Sequence, residues 1–367
     1  MDRRSFLQTS AAAAALPVLS AMPRISFAQQ LPFNPVIGEW RTFEVTTRVE
    51  ILFPAGVSRA WVPVPSVDRN YQKLLGNSWS GNAAARLASD GKYGALMVAA
   101  EWSPAEKTPV LEVTSRFATV NRAVDFTSHD PALQLDAAGV RFHTAATELI
   151  PTDGIVRDTA RKIVKGKKTE LEKARAIYEW VVDNTARDPQ VRGCGTGDIK
   201  TMLETGNLGG KCADLNALYV GLARSAGLPA RDVYGIRVVR SAFGYRSLGA
   251  GSASITRAQH CRAEVFLTGY GWVPVDPADV RKVVLEEKQS PITLADPVVP
   301  PVRAKLFGAW EMNWLAYNEA ADVKLPGSSG APVGFLMYPQ AESDGKRLDS
   351  LDPENFKYTI TAREIKA

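Results

Sequence analysis

Residues 209–231 read Gly209-Gly210-Lys211-Cys212-Ala213-Asp214-Leu215-Asn216-Ala217-Leu218-Tyr219-Val220-Gly221-Leu222-Ala223-Arg224-Ser225-Ala226-Gly227-Leu228-Pro229-Ala230-Arg231. Leu215, Leu218, Tyr219 and Leu222 recur at helical spacing, and Gly227 followed by Pro229 supplies a stop. The pattern predicts a helix over 212–226 with Cys212 in its first turn. There the free backbone N–H groups and the positive end of the helix dipole favour a thiolate over a thiol. Lys211 adds a nearby positive charge. Gly209 and Gly210 permit a sharp turn and leave room for a substrate beside the sulfur. The segment 206–212 also looks like part of a phosphate-binding loop. It has one residue too few between its glycines, and Cys212 stands where a Mg²⁺-binding Ser or Thr is needed, so nucleotide binding is set aside.

A thiol nucleophile needs a base, and the chain holds three histidines, His129, His143 and His260. His260 opens a predicted strand over 259–267. Asp276 ends the run Gly271-Trp272-Val273-Pro274-Val275-Asp276, and Gly269-Tyr270-Gly271 reads as the turn of an antiparallel hairpin between the two. Such a hairpin brings His260 and Asp276 together at one end. His260 can then take the thiol proton while Asp276 orients the ring and stabilises its charged form. Cys212, His260 and Asp276 are therefore the candidate catalytic residues. Taken singly, a Cys in an apolar helix packs a core, a His at a strand start is a satisfied polar group, and an Asp before Pro makes a turn. The order and spacing of all three carry the chemistry. His129 and His143 lie outside these motifs.

The other cysteines read differently. Cys261 follows His260, so strand alternation points it to the opposite face, into the core. Cys194 lies in the glycine-rich stretch Gly193-Cys194-Gly195-Thr196-Gly197-Asp198, where it can line the site, bridge to another cysteine or pack. A bridge to Cys212 would disable the nucleophile. A zinc site built from Cys194, Cys212, Cys261 and His260 lacks a Cys-x-x-Cys pair and needs two adjacent residues that should diverge, so no metal and no cofactor is expected. Asp198 reads as a loop cap and Asp214 as a first-turn helix charge.

Around this segment the expected fold class is α+β. From Trp40 to Val120 the alternation of Phe43, Val45, Thr47, Val49 and Ile51, and of Leu111, Val113, Ser115, Phe117 and Thr119, predicts an antiparallel β domain over 29–130. Helices are predicted at 155–164 and at 169–186, the second capped by Thr169 with Ala174, Ile177, Val181 and Val182 on one face. Strands follow at 231–239, 261–267 and 272–275. Helices first and strands afterwards is an α+β order, placing a catalytic core over 131–289. Four prolines within 290–302 read as a linker or extended wrap, opening a C-terminal extension over 290–367 with a strand at 356–361.

The first residues read as an address. Arg3-Arg4-Ser5-Phe6-Leu7 resembles a twin-arginine export signal, Ala11 to Ala21 is apolar but too short to span a bilayer, and Ser26-Phe27-Ala28 fits a small-x-small cleavage site. Residues 1–28 are thus expected to be a signal peptide, and the mature protein to be periplasmic without a membrane span. The formal net charge is +5, of which the first 28 residues carry +2. The mild remainder gives a nucleic-acid partner no support. Three cysteines are too few for a disulfide scaffold, and the odd count leaves at least one thiol unpaired within the chain.

Three stretches, 209–231, Gln259-His260-Cys261-Arg262-Ala263-Glu264-Val265 and Gly271 to Pro277, resemble the transglutaminase-like superfamily. The resemblance is most specific over 150–282. It implies a papain-like α+β core in which Cys212, His260 and Asp276 are nucleophile, base and orienting acid. Gly193 to Asp198 is similar to a motif of bacterial transglutaminase-domain proteins. True transglutaminases place an oxyanion-donating Trp upstream of the nucleophile. The nearest upstream Trp here is Trp180, inside a predicted helix, so the side-chain half of the oxyanion hole has no donor assigned. The resemblance implies a thioester mechanism on amides. Its outcome is an exported peptidase or amidase, or a protein-glutamine amine transferase; the rival to both is a binding or assembly module that keeps the fold without turnover. Peptide or protein substrates, including peptidoglycan-linked peptides, fit the expected compartment.

Overall fold

The computed structural model describes residues 32–366, so the expected export signal lies outside the described residues. Seven helices are used below: α1 (Ala137–Thr144), α2 (Gly154–Ile163), α3 (Glu170–Asn184), α4 (Ile199–Thr205), α5 (Cys212–Ser225), α6 (Pro277–Glu286) and α7 (Val299–Lys305). Among the described residues no helix is long and apolar enough to cross a membrane.

The β region forms two antiparallel sheets packed face to face. One runs in the order Phe356–Ile365, Arg41–Ile51, Val110–Thr119, Gln72–Gly81; the other runs Lys346–Leu348, Gln340–Ser343, Ser58–Val64, Leu96–Trp102, Ala84–Ser89. Val49, Ile51, Leu111 and Val113 of the first bury against Val62, Val64, Val98 and Ala100 of the second. These include the alternate apolar positions read from the sequence, because a half-buried strand shows the core every second residue.

The core sheet has four antiparallel strands in the order Gly271–Val275, Gln259–Leu267, Ala230–Arg237, Trp314–Asn318. Helix α5 lies on the Gln259–Leu267 strand, below called the histidine strand, with α2, α3 and α6 around it. Leu218, Leu222, Val156, Ile177, Val181, Ala263, Val265 and Val280 share its apolar core. Helix α3 begins at a reciprocal cap, Thr169 Oγ1 accepting from Glu172 N at 3.1 Å and Glu172 accepting from Thr169 N at 2.9 Å.

The C-terminal part is more closely integrated than its sequence pattern suggests. The C-terminal extension, 290–367, folds back onto the rest of the chain. Phe356–Ile365 pairs with Arg41–Ile51, Gln340–Ser343 with Ser58–Val64, and Trp314–Asn318 completes the core sheet beside Ala230–Arg237. Each fills an edge whose unpaired backbone groups would otherwise face solvent. The proline-rich stretch is also not extended throughout: it feeds α7, with Pro300 and Pro301 in the first turn, where a missing N–H costs no helical hydrogen bond.

Candidate active site

Cys212 is the first residue of α5, at the end of the helix facing the start of the histidine strand. No backbone partner is found for its N–H among the described residues, as expected at a helix start. The helix end is held by Asp214. Its carboxylate accepts from Lys211 N at 2.9 Å, Gly197 N at 2.9 Å and Thr196 N at 3.0 Å. Asp214 is therefore more than a first-turn charge: it ties the Gly193–Gly197 loop to the nucleophile's helix. Ala213 N donates to Cys194 O at 2.9 Å and closes the same junction.

The glycines here serve that carboxylate rather than a substrate. A Cβ on Gly195, whose φ is +90°, would sit 1.8 Å from Asp214 Oδ2, and one on Gly210 would sit 2.6 Å from Asp214 Cβ. Asp198 caps α4, accepting from Thr201 N at 3.1 Å.

His260 is buried and its Nε2 lies 2.8 Å from Asp276 Oδ2. Asp276 follows the Gly271–Val275 strand, so the hairpin delivers it opposite the start of the histidine strand. It also caps α6, accepting from Asp279 N at 3.0 Å, and Asn216 of α5 reaches it at 3.4 Å. The opposite ring nitrogen of His260, Nδ1, is left for the thiol. Cys212 is buried in one cluster with Cys194 and Cys261, and His260 is near enough to draw its thiol down.

Sequence reasoning missed much of the shell. Asp279 stands 3.4 Å from His260 Nε2, and Arg237 clamps Asp279 at 2.5 Å. Arg262 stands 3.5 Å from Asp276. Trp314 Nε1 donates to His260 O at 2.8 Å. The signal for Asp279 was its place one turn after Asp276 at a helix start; Arg237 and Trp314 come from strands whose pairing no local pattern reveals. His260, Asp276 and Asp279 also offer ligand atoms close enough for a cation. Arg237 and Arg262 already supply the positive charge there, and the donor set does not fit a metal.

The electrostatics follow from these contacts. Cys194 and then Cys261 hold the Cys212 thiol well below its ordinary range, with His260 adding to them against the cost of burial. Burial and the Arg237 charge oppose protonation of His260, yet Asp279 and Asp276 favour it, and its pKa stands at about 9. Asp279 stays well below the carboxylate range despite burial because of Arg237 and His260. Burial and the neighbouring Asp279 charge push Asp276 up.

Cys261 is buried in an apolar cluster as expected, and the same cluster holds Cys212. Alternation does send it to the face away from the Arg262 side chain, but that is the face α5 covers, with Asn216 Nδ2 2.8 Å from Cys261 O. Its side chain thus packs in the core cluster that also contains the nucleophile. Burial, then Cys212 itself, push the Cys261 thiol well up. Gln259, next to His260, has its Nε2 buried and without a hydrogen-bond partner among the described residues. A cavity of about 530 Å³ opens further along the histidine strand at Glu264 and Trp272, and none of Cys212, His260 and Asp276 lines it.

A sequence profile described as the transglutaminase-like superfamily matches residues 157–277, the span containing Cys212, His260 and Asp276. An uncharacterized protein of Haemophilus influenzae is 37% identical over 374 residues, covering 96% of this chain and 99% of the relative. Among solved structures, a candidate cysteine protease from Cytophaga hutchinsonii is similar over 90% of this chain and 93% of its own, with a TM-score of 0.54 and 13% identity, a likeness of fold. The periplasmic domain of TgpA from Pseudomonas aeruginosa matches 70% of this chain and 93% of its own at 14% identity, with a TM-score of 0.32.

Proposed function

Because the chain belongs to the transglutaminase-like superfamily, we propose that it is a thiol-dependent acyl-transfer enzyme acting on amide or peptide bonds, with hydrolysis as its outcome. The observation that carries this reading is the Cys212 thiol at a helix N-terminus against His260, whose far nitrogen is 2.8 Å from a buried carboxylate.

Cys212 thiolate attacks the amide carbonyl carbon, and the carbonyl π electrons move onto oxygen. The unpaired Cys212 N–H is one donor for that oxyanion. Gln259 Nε2, buried and unpartnered at the same end of the histidine strand, is the side-chain donor we assign in place of the missing Trp. Protonated His260 gives its proton to the leaving amine as the C–N bond breaks, leaving a thioester. Water then attacks that thioester while neutral His260 takes its proton, and the C–S bond breaks to regenerate the thiolate. Asp276 holds the ring in place through both steps.

Peptide or protein amides are the substrate class of this reading, including peptides linked to peptidoglycan, and the twin-arginine-like start of the chain supports a periplasmic location for it. The test is product analysis. Incubation with peptide amides and a primary amine in water should release the free acid, and Cys212→Ala should abolish release. An amide adduct as sole product would replace hydrolysis by amine transfer; full activity of Cys212→Ala would remove the thiol mechanism.

A further inference from the structure

Two of the three thiols take no bond-making part in the reaction proposed above, yet both are packed on the one that does. Cys194 is carried by a loop bound to the N-terminus of α5 through Ala213 N to Cys194 O at 2.9 Å. That one hydrogen bond joins the two backbones directly: the carbonyl oxygen of 194 and the nitrogen of 213 each lie about 2.4 Å from the Cα of residues 194 and 212 respectively. The Cα atoms are thereby tethered near the span that a disulfide bridges. The buried Cys194 thiol donates to Gln259 O at 3.3 Å and packs in the same cluster as Cys212.

Cys261 is the other candidate partner, and its setting is different. It sits inside a ladder, opposite Tyr234, with its carbonyl held by Asn216, so a bridge from it would have to displace the central strand. Cys194 lies between Gly193 at φ +55° and Gly195 at φ +90°, on a loop that can adjust without disturbing a sheet.

We propose that Cys194 and Cys212 form a modification site, in which Cys194 resolves an oxidised Cys212 as a reversible disulfide that turns the enzyme off and protects its sulfur. The inference rests on Cys212 being the reactive thiolate. The oxidant is a peroxide. Cys212 thiolate attacks one peroxide oxygen, the O–O bond breaks, and Cys212 becomes a sulfenic acid as hydroxide leaves. Cys194 sulfur then attacks the sulfenyl sulfur and gives up its proton, the S–O bond breaks, and water leaves as the S–S bond forms. A dithiol reductant reverses the bridge by exchange, restoring both thiols.

The experiment treats the mature protein with hydrogen peroxide, blocks free thiols with iodoacetamide, and maps peptides without reduction. A peptide linked through Cys194 and Cys212 is expected, with Cys261 alkylated only after unfolding. Dithiothreitol should restore native labelling of Cys212. In Cys194→Ser, peroxide should drive Cys212 to sulfinic acid, which dithiothreitol does not reverse, whereas Cys261→Ser should still form the bridge. Rapid native alkylation of Cys212 with no Cys194 linkage after peroxide, or a Cys212–Cys261 linkage, overturns this inference and leaves the proposed nucleophile standing. Failure of Cys212 to react with either peroxide or iodoacetamide overturns both.

Discussion

Replacing Asp214 by Ala should loosen the site without touching a reacting atom. The carboxylate accepts three backbone N–H groups at 2.9–3.0 Å, from Lys211, Gly197 and Thr196. A hydrogen bond to a charged group contributes about 1.5–3 kcal/mol net, so three would sum to roughly 4–9 kcal/mol. Two effects reduce this. Thr196 is exposed, so water can replace its lost acceptor, and burial already pushes the Asp214 carboxyl up, opposing its charged form. About 3 kcal/mol is the expected loss, a large share of the 5–15 kcal/mol typical of a folded domain. Equilibrium urea unfolding followed by tryptophan fluorescence reads it directly. The same variant should slow native alkylation of Cys212, because the loop that brings Cys194 to the sulfur is no longer anchored. Gly195→Ala, whose new Cβ would sit 1.8 Å from Asp214 Oδ2, should produce both effects through the same junction. Stability within about 0.5 kcal/mol of wild type in Asp214→Ala, the scale of an ordinary surface substitution, would refute this reasoning.

Asp276→Asn should lower turnover by about 10²–10⁴-fold, with a much smaller change in KM, since it disturbs the ring's orientation and charge rather than substrate contacts. Steady-state kinetics on a peptide amide measure this. Arg237→Leu leaves Asp279 buried without its clamp and should cost about 3–5 kcal/mol in a denaturant titration. Turnover should fall as pH rises through about 9, where His260 loses the proton it gives to the leaving amine. The same proton stabilises the fold. Held up to about 9 in the folded chain but released near 6.5 in an unfolded one, it contributes fully below about 6.5 and fades as pH climbs to 9. Thermal melts of wild type and His260→Gln across that window check the sign. Gln259→Leu should reduce kcat by about 10²–10³-fold with KM little changed, the signature of a lost oxyanion donor.

What the sequence made legible was local. The apolar stripe and the Gly227–Pro229 stop put Cys212 at the start of a helix, and the turn at 269–271 put Asp276 across from His260. Alternation exposed the strands of the β region because each shows the core on one face only. What stayed hidden depends on distant segments meeting. Arg237 reaches Asp279 across 42 residues, and Trp314 supports the His260 backbone from a strand 54 residues on. The face of Cys261 was read correctly, but alternation cannot say that the nucleophile's own helix covers that face. Likewise Gly210 looked like room for a substrate, when the space beside it belongs to Asp214, visible only once the loop folds over α5. The strand expected at 356–361 had no legible partner, because it pairs as far back as Arg41–Ile51.

The most direct test is the pH dependence of iodoacetamide labelling at each cysteine of the native protein. If Cys212 is a thiolate favoured by Cys194, Cys261 and His260, it should be labelled far faster than the other two, and its rate should reach a plateau well below the ordinary thiol titration. A Cys212 rate that matches those of Cys194 and Cys261, or that climbs with the ordinary thiol titration near 8.5, would contradict the account.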